Sequence, residues 1–414
     1  MGKICSKPKR PIFCQPLYLG DDLEELRGRT VHEDDSYISL PILSLPGVVL
    51  LPGQTLPLHL FQPSTVSMMS HVIEGDKTFG IVTSSYHSAD PYRPVLATVG
   101  TTAEVLAVKE ENDSRVGVST MRVKAVGRQR FEMKDTRRQM DGNMIAKVRI
   151  LPESFLCDPL EGARPASHRR IVGSESWSCM DDTVGQATSH NAEYKGRRKI
   201  DRFSCANFTR MPPWVYRQYD AFLLMSRIRK ELQSWNETLR PESMPCDPSE
   251  FSFWVAANLL LDDAFRLHLL TIDSAIQRLR CELSIMRRCT VLCCKNCNLL
   301  IAKKEDVFSM ALEGPMGAYV NPGGYVHETL TIHKAMGLRL IGWPSVENSW
   351  FPGYAWTIAQ CNQCDSHLGW RFTVAGRGRS LRPEKFWGLC RSSLVPGLQK
   401  DSENPDDETW RPIM

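Results

Sequence analysis

No apolar run in this sequence approaches the ~20 residues that a membrane-spanning helix needs; Val48-Val-Leu-Leu51 is one of the longer ones. Residues 2–14 lack the apolar core of a secretory signal. Net charge is scarce as well. Against 51 basic residues stand 47 acidic ones, leaving +4, far from the footprint of a nucleic-acid-binding domain. The phosphate loop Gly-x-x-x-x-Gly-Lys-Ser/Thr does not occur, so the ATPases that rely on it are excluded. What the chain does have is fourteen cysteines and ten tryptophans. Without a secretion signal, that many cysteines predict reduced thiols and metal ligation rather than disulfides.

At 414 residues the chain has room for two or three domains. Its start, Met1-Gly2-Lys3-Ile4-Cys5-Ser6, fits the N-myristoylation pattern, with Cys5 as a second acylation candidate and Lys7, Lys9 and Arg10 as a basic supplement. A single acyl chain anchors only marginally, and the alternative is an unmodified tail over residues 1–37. From Ile38, short apolar runs broken by Pro and Gly predict strands around Leu43–Pro46, Val48–Leu51 and Pro52–Leu58, then a helix at Ser64–Ile73 and a strand at Thr78–Thr83. A loop over Ser84–Thr98 and strands at Ala103–Val108, Met121–Val126 and Ala146–Ile150 follow. Met121, Val123 and Ala125 point inward, Arg122 and Lys124 outward.

Residues 155–200 are polar, Ser/Arg-rich and aperiodic, as in a flexible insertion. Helical spacing resumes with Val215, Tyr219, Phe222, Met225, Leu232 and Trp235. Further helices are expected at Phe253–Leu261 and, as one element, Asp263–Met286. Such stripes ordinarily pack in a core; the stripe from Trp214 to Trp235 is instead expected to face another protein, since Tyr, Phe, Met and Trp are enriched at interfaces.

Two Cys-x-x-Cys pairs, Cys294/Cys297 and Cys361/Cys364, make two knuckles whose four thiolates can close one tetrahedral site. Four thiolate ligands leave no position for water, so a structural Zn2+ is expected, not a catalytic one. Between the pairs, strands are expected at Val307–Leu312, Tyr325–Ile332, Leu338–Ile341 and Ala355–Gln360. Trp350 and Trp356 flank a Pro352-Gly353 turn and Trp370 follows Cys364, so the turn and the metal can bring three indoles together. They either staple a thin β core or cage a flat or cationic ligand.

The segments Pro46–Leu58, Gly127–Phe131 and Pro248–Ala257 resemble the N-terminal substrate-binding domain of Lon proteases, without the ATPase and protease. Cys294–Cys297, Tyr319–Pro322, Gly324–Leu330, Ser349–Trp356, Cys361–Cys364, Gly369–Phe372 and Lys385–Leu389, with the helix around Gln277–Leu283, resemble the cereblon family over about residues 17–395. That resemblance implies an α+β chain. A tail (1–37) would precede a β-rich Lon N-terminal-like domain (38–285) with an inserted helical, adaptor-binding part (205–285). A zinc-bound antiparallel β domain (286–395) and a second tail (396–414) would follow. It also implies a cytoplasmic and nuclear, non-catalytic substrate receptor of a cullin-4 RING ubiquitin ligase. Such a receptor docks on the ligase's damaged-DNA-binding adaptor protein and binds thalidomide-type drugs and protein C-termini ending in cyclic imides. The implied pocket is Trp350, Trp356, Trp370 and Phe372, with Asn321 on a closing loop and hydrogen bonds from the backbone of Asn348, Ser349 and Trp350. Two positions depart from the family pattern: Asn348 and Gly323 each stand where a His is usual. Basic Met1–Pro11 replaces the usual acidic stretch. The alternative reading is an aromatic-cage reader of methylated lysine or another quaternary ammonium, for which Glu347 and Asp365 are the near carboxylates.

Overall fold

The computed structural model describes residues 23–26, 28, 30–87, 90–113, 118–156, 160, 206, 209–235, 244–311, 313–376 and 381–397. The acylation pattern at Gly2 and Cys5 and most of the expected insertion lie outside them.

The first part is a β-barrel. Its strands are β1 (Glu24–Glu25), β2 (Tyr37–Pro46), β3 (Thr55–Leu60), β4 (Thr78–His87), β5 (Asp90–Leu96), β6 (Val99–Asp113), β7 (Val118–Arg138) and β8 (Met144–Ile150), with helix α1 (Pro63–Glu74) after β3. The order β6-β4-β2-β8-β7 closes on itself through β6–β7 pairing, while β1, β3 and β5 extend the edges. β1 pairs with β6 inside the stretch expected to be a tail. Bulges in β6 and β7 bend these long strands around the barrel. As the alternation predicts, Met121, Val123 and Ala125 are buried in the barrel core. Two expectations fail here. Val48–Leu51 is buried but forms no strand, because the chain turns back onto Gly127, where a Cβ would lie 2.3 Å from the Leu51 carbonyl oxygen. Ser84–Thr98 is not a loop: β4 continues to His87 and β5 returns along it. The prolines of β5 suit an edge strand, which has N–H groups to spare.

Among the described residues five helices follow: α2 (Pro213–Arg217), α3 (Ala221–Trp235), α4 (Pro248–Asn258), α5 (Asp263–Thr271) and α6 (Ala275–Arg288). Asp247 caps α4 through the amides of Ser249 and Glu250, and Asp262 caps α5 through that of Phe265. The single helix expected over Asp263–Met286 is broken at Ile272–Ser274. Buried guanidinium groups collect the freed carbonyls: Arg130 Nη1 donates to Leu270 and Ile272 (2.8 and 3.1 Å), and Arg278 Nη1 to Ile272 (2.7 Å). The stripe on α3 also divides. Leu224, Met225, Ile228 and Leu232 pack against α4, α5 and α6, with Trp235 at their margin, so this half is core rather than an interface. Trp214, Tyr219 and Phe222 remain exposed.

The last part is antiparallel. One sheet runs β10 (Leu300–Lys303), β9 (Val291–Cys294), β17 (Leu394–Gly397). The other runs β11 (Met316–Val320), β12 (Val326–Ile332), β16 (Lys385–Cys390), β15 (His367–Val374), β14 (Tyr354–Cys361), β13 (Leu338–Ser345). Of the strand expected at Val307–Leu312, the described residues 307–311 carry only two isolated bridges. Phe308 stacks on His333 at 3.7 Å, and its carbonyl accepts the Thr331 hydroxyl, which holds this segment across the sheet edge instead of in the ladder.

Candidate metal centre and aromatic pocket

Each cysteine pair sits in a tight knuckle, and the two knuckles have the same backbone form. The amides of Cys294 and Cys361 donate to the carbonyls of Leu299 and Ser366 (2.8 and 2.9 Å). Those of Asn298 and Asp365 donate back to Cys294 and Cys361 (2.9 and 3.0 Å). Asn298 and Asp365, each four residues past its cysteine, take positive φ (57° and 58°), a conformation that short polar side chains tolerate. Strands β9 and β14 bring the knuckles face to face. All four Sγ atoms lie within 4.8 Å of one another, with Cys294–Cys364 at 3.6 Å and Cys297–Cys361 at 3.5 Å. Tetrahedral ligands at ~2.3 Å from zinc stand about 3.8 Å apart, so the donor set fits one structural zinc. The protonated thiols conflict with one another at this spacing. The Leu299 amide favours the Cys297 thiolate, but desolvation and the shared hydrogen bond with Cys361 push this thiol up to about 12. The Ser366 hydroxyl and amide draw Cys364 down to about 6. A bound dication removes the conflict by stabilising four thiolates at once.

The knuckle at Cys361–Cys364 also sets the register of β14 on β15, pairing Trp356 with Phe372 and Ile358 with Trp370. Trp356 and Trp370 are thereby diagonal neighbours on one face. Trp350 reaches the same face from the turn before β14, where Gly353 takes φ 86°. Trp350 and Phe372 are buried in an aromatic cluster with Trp356 and Trp370 packed at its edge. Trp350 meets Trp370 edge-on (centroids 4.7 Å, 77°) and stacks on Tyr319 (5.1 Å, 17°). Two indole N–H groups are committed to backbone: Trp350 Nε1 donates to Val320 (3.1 Å) and Trp356 Nε1 to Glu347 (2.7 Å). These bonds fix the ring planes.

The remaining expected residues are placed differently. Asn321 closes its own loop, its Oδ1 accepting the Tyr325 amide (2.9 Å), while its Nδ2 lies 3.5 Å from His327 Nε2. Gly324 in that loop packs on β3 and Phe61; a Cβ there would lie 2.9 Å from the His59 carbonyl oxygen. The Ser349 hydroxyl donates to Phe351 within the turn (3.2 Å). Asn348 is exposed at φ 52° and borders an outer depression with Pro352 and Gly353.

His327 and His367 are not among the site residues expected from sequence. They flank Trp370 with centroids at 5.1 and 4.9 Å. Burial lowers both pKa values, and His367 lowers His327 further, so the pocket is walled by neutral imidazoles. The period-2 pattern of β12 and β15 was the available signal. Glu328, also missed, is a buried carboxylate between Arg266, Arg391 and Gln54, and it joins the two halves of the molecule.

A Lon-type barrel with helices, followed by a cysteine-clustered β domain, is the class this architecture defines. Residues 39–288 match the family described as the ATP-dependent protease La (LON) substrate-binding domain. Residues 290–407 match the family described as Yippee zinc-binding/DNA-binding/Mis18, centromere assembly. Protein cereblon of Danio rerio is 49% identical over 388 residues, 93% of this chain and 87% of its own. Those of Gallus gallus and Xenopus tropicalis are 48% and 46% identical over 405 and 398 residues, each 96% of this chain and 88% and 86% of their own. The chain belongs to the cereblon family. Among the described residues no helix is long and apolar enough to cross a membrane.

Proposed function

We propose that this chain is the substrate-recognition subunit of a cullin-4 RING ubiquitin ligase, acting in cytoplasm and nucleus, and that it captures polypeptides ending in a cyclic imide. The observation that carries the reading is the pre-set aromatic cluster. Trp356 and Trp370 stand on a sheet pinned by the knuckles and Trp350 joins them from the adjoining turn, with two indole N–H groups already tied to backbone. A flat glutarimide or thalidomide-type ring buries both faces against such walls, and its N–H and carbonyls find backbone partners near Ser349. The subunit performs no chemistry in this reading. It holds substrate lysines near a charged conjugating enzyme and so raises their effective concentration. Exposed Trp214 (62%) and Tyr219 (41%) are the part of the helical stripe left for the damaged-DNA-binding adaptor protein.

A quaternary-ammonium cage is less well supported, because Asp365, one of its two candidate carboxylates, is paired with Arg339 at 2.6 Å beside the zinc knuckle. Calorimetry with a neutral glutarimide and with a trimethyl-lysine peptide separates the two readings. The glutarimide is expected to bind and to exclude the peptide; preference for the peptide would overturn the proposal.

A further inference from the structure

Between α3 and α6 runs a groove of about 370 Å³ into which four arginines project: Arg227 from α3 and Arg280, Arg287 and Arg288 from α6. Its floor is Leu224 and Leu283, both buried in the helical core, so the walls are held by packing rather than by the ligand. Positions 280, 284, 287 and 288 share one face of α6, and Ser284 adds a hydroxyl beside the guanidinium groups. Gln218, at the end of α2, supplies an amide from the other side.

Local structure accounts for only part of this charge. Arg287 and Arg288 end α6, where carbonyl dipoles favour cations. Arg227 lies in the second turn of α3 and gains nothing of that kind. Arg280 sits over the Tyr219 ring at 5.2 Å. Among the described residues none of Arg227, Arg280 and Arg287 is in an ion pair. Like charges gathered on one groove repel one another, and a dense anion relieves that repulsion.

We propose that this groove binds a polyphosphorylated ligand of the inositol-polyphosphate class. Guanidinium forks match phosphate oxygens two at a time. The groove volume lies within the ~300–1,000 Å³ of small-molecule sites, enough for a ring bearing several phosphates. The same chemistry can arrive free or as a lipid headgroup.

The test uses the full zinc-loaded chain at about 150 mM ionic strength, and a double variant, Arg227→Gln with Arg287→Gln. Both side chains are exposed, so zinc content and thermal midpoint should match the parent. Titration with inositol hexakisphosphate is expected to saturate at one site and to weaken at least about tenfold in the variant. Vesicles carrying phosphatidylinositol bisphosphate, compared with phosphatidylserine vesicles of equal charge, show whether the headgroup is taken from a membrane. Groove-dependent binding in either arm supports the proposal. Equal affinity of parent and variant, no binding in both arms, or equal affinity for polyglutamate at matched charge would overturn it.

Discussion

A single side chain in the aromatic cluster fills a place that no neighbour can take over. Trp356 lies at the cluster's edge with its N–H spent on the Glu347 carbonyl, so Trp356→Ala removes a wall and frees a turn together. Glutarimide affinity should fall by about 2 kcal/mol or more, since truncated aromatic anchors dominate small sites; calorimetry on the folded variant checks this. Asn348 is a contrasting case. It is exposed, and its φ of 52° is one that Asn and His both tolerate. Asn348→His therefore adds at most one neutral hydrogen bond, ~0.5–1.5 kcal/mol, and should tighten binding no more than about tenfold. These residues were legible because long motifs surround them. His327 and His367 were not, because a histidine's role depends on which ring stands across the sheet, and that is set by register.

At the scale of elements, the two knuckles carry the stability of the last domain. They join β9 to β14, distant in sequence, and a bound dication would hold all four thiols deprotonated together. Cys361→Ala should leave the β domain unfolded rather than merely weakened, because metal affinity here is folding free energy. Zinc analysis and amide exchange on the purified variant decide it: stoichiometric zinc in a folded variant would contradict the assignment. The helical elements were read less well from sequence. Apolar spacing runs through Ile272–Ser274 without interruption, and only the Arg130 and Arg278 bonds to the freed carbonyls explain the break. Likewise the α3 stripe mixes core and surface, which periodicity alone does not separate. Charged substitutions confined to its exposed end, Trp214→Asp with Tyr219→Asp, should abolish co-purification of the adaptor while imide affinity stays unchanged.

For the whole molecule, the decisive contact is one that no sequence window contains. Glu328 accepts from Gln54, 274 residues away, and from Arg266 and Arg391, 62 and 63 residues away. Arg391 also reaches Asp263 and the carbonyls of Leu261 and Gly47. One carboxylate thus ties barrel, helices and β domain. Burial alone would raise its pKa; Arg266 and Arg391 overcome this and hold it at about 2, below the ordinary 4.5. Because the folded value is the lower one, its stabilisation is complete above about pH 4.5, declines as pH falls, and is gone below about 2. Glu328→Gln keeps the shape but leaves Arg266 buried without a direct counter-charge and Arg391 with Asp263 alone, a loss of about 3–5 kcal/mol at neutral pH. Thermal midpoints of parent and variant should therefore differ widely at pH 7 and converge as the pH is lowered through that window. Loss of zinc in acid acts on both chains alike, so the difference between them isolates the carboxylate. A gap independent of pH would show that the hub works by packing rather than by charge.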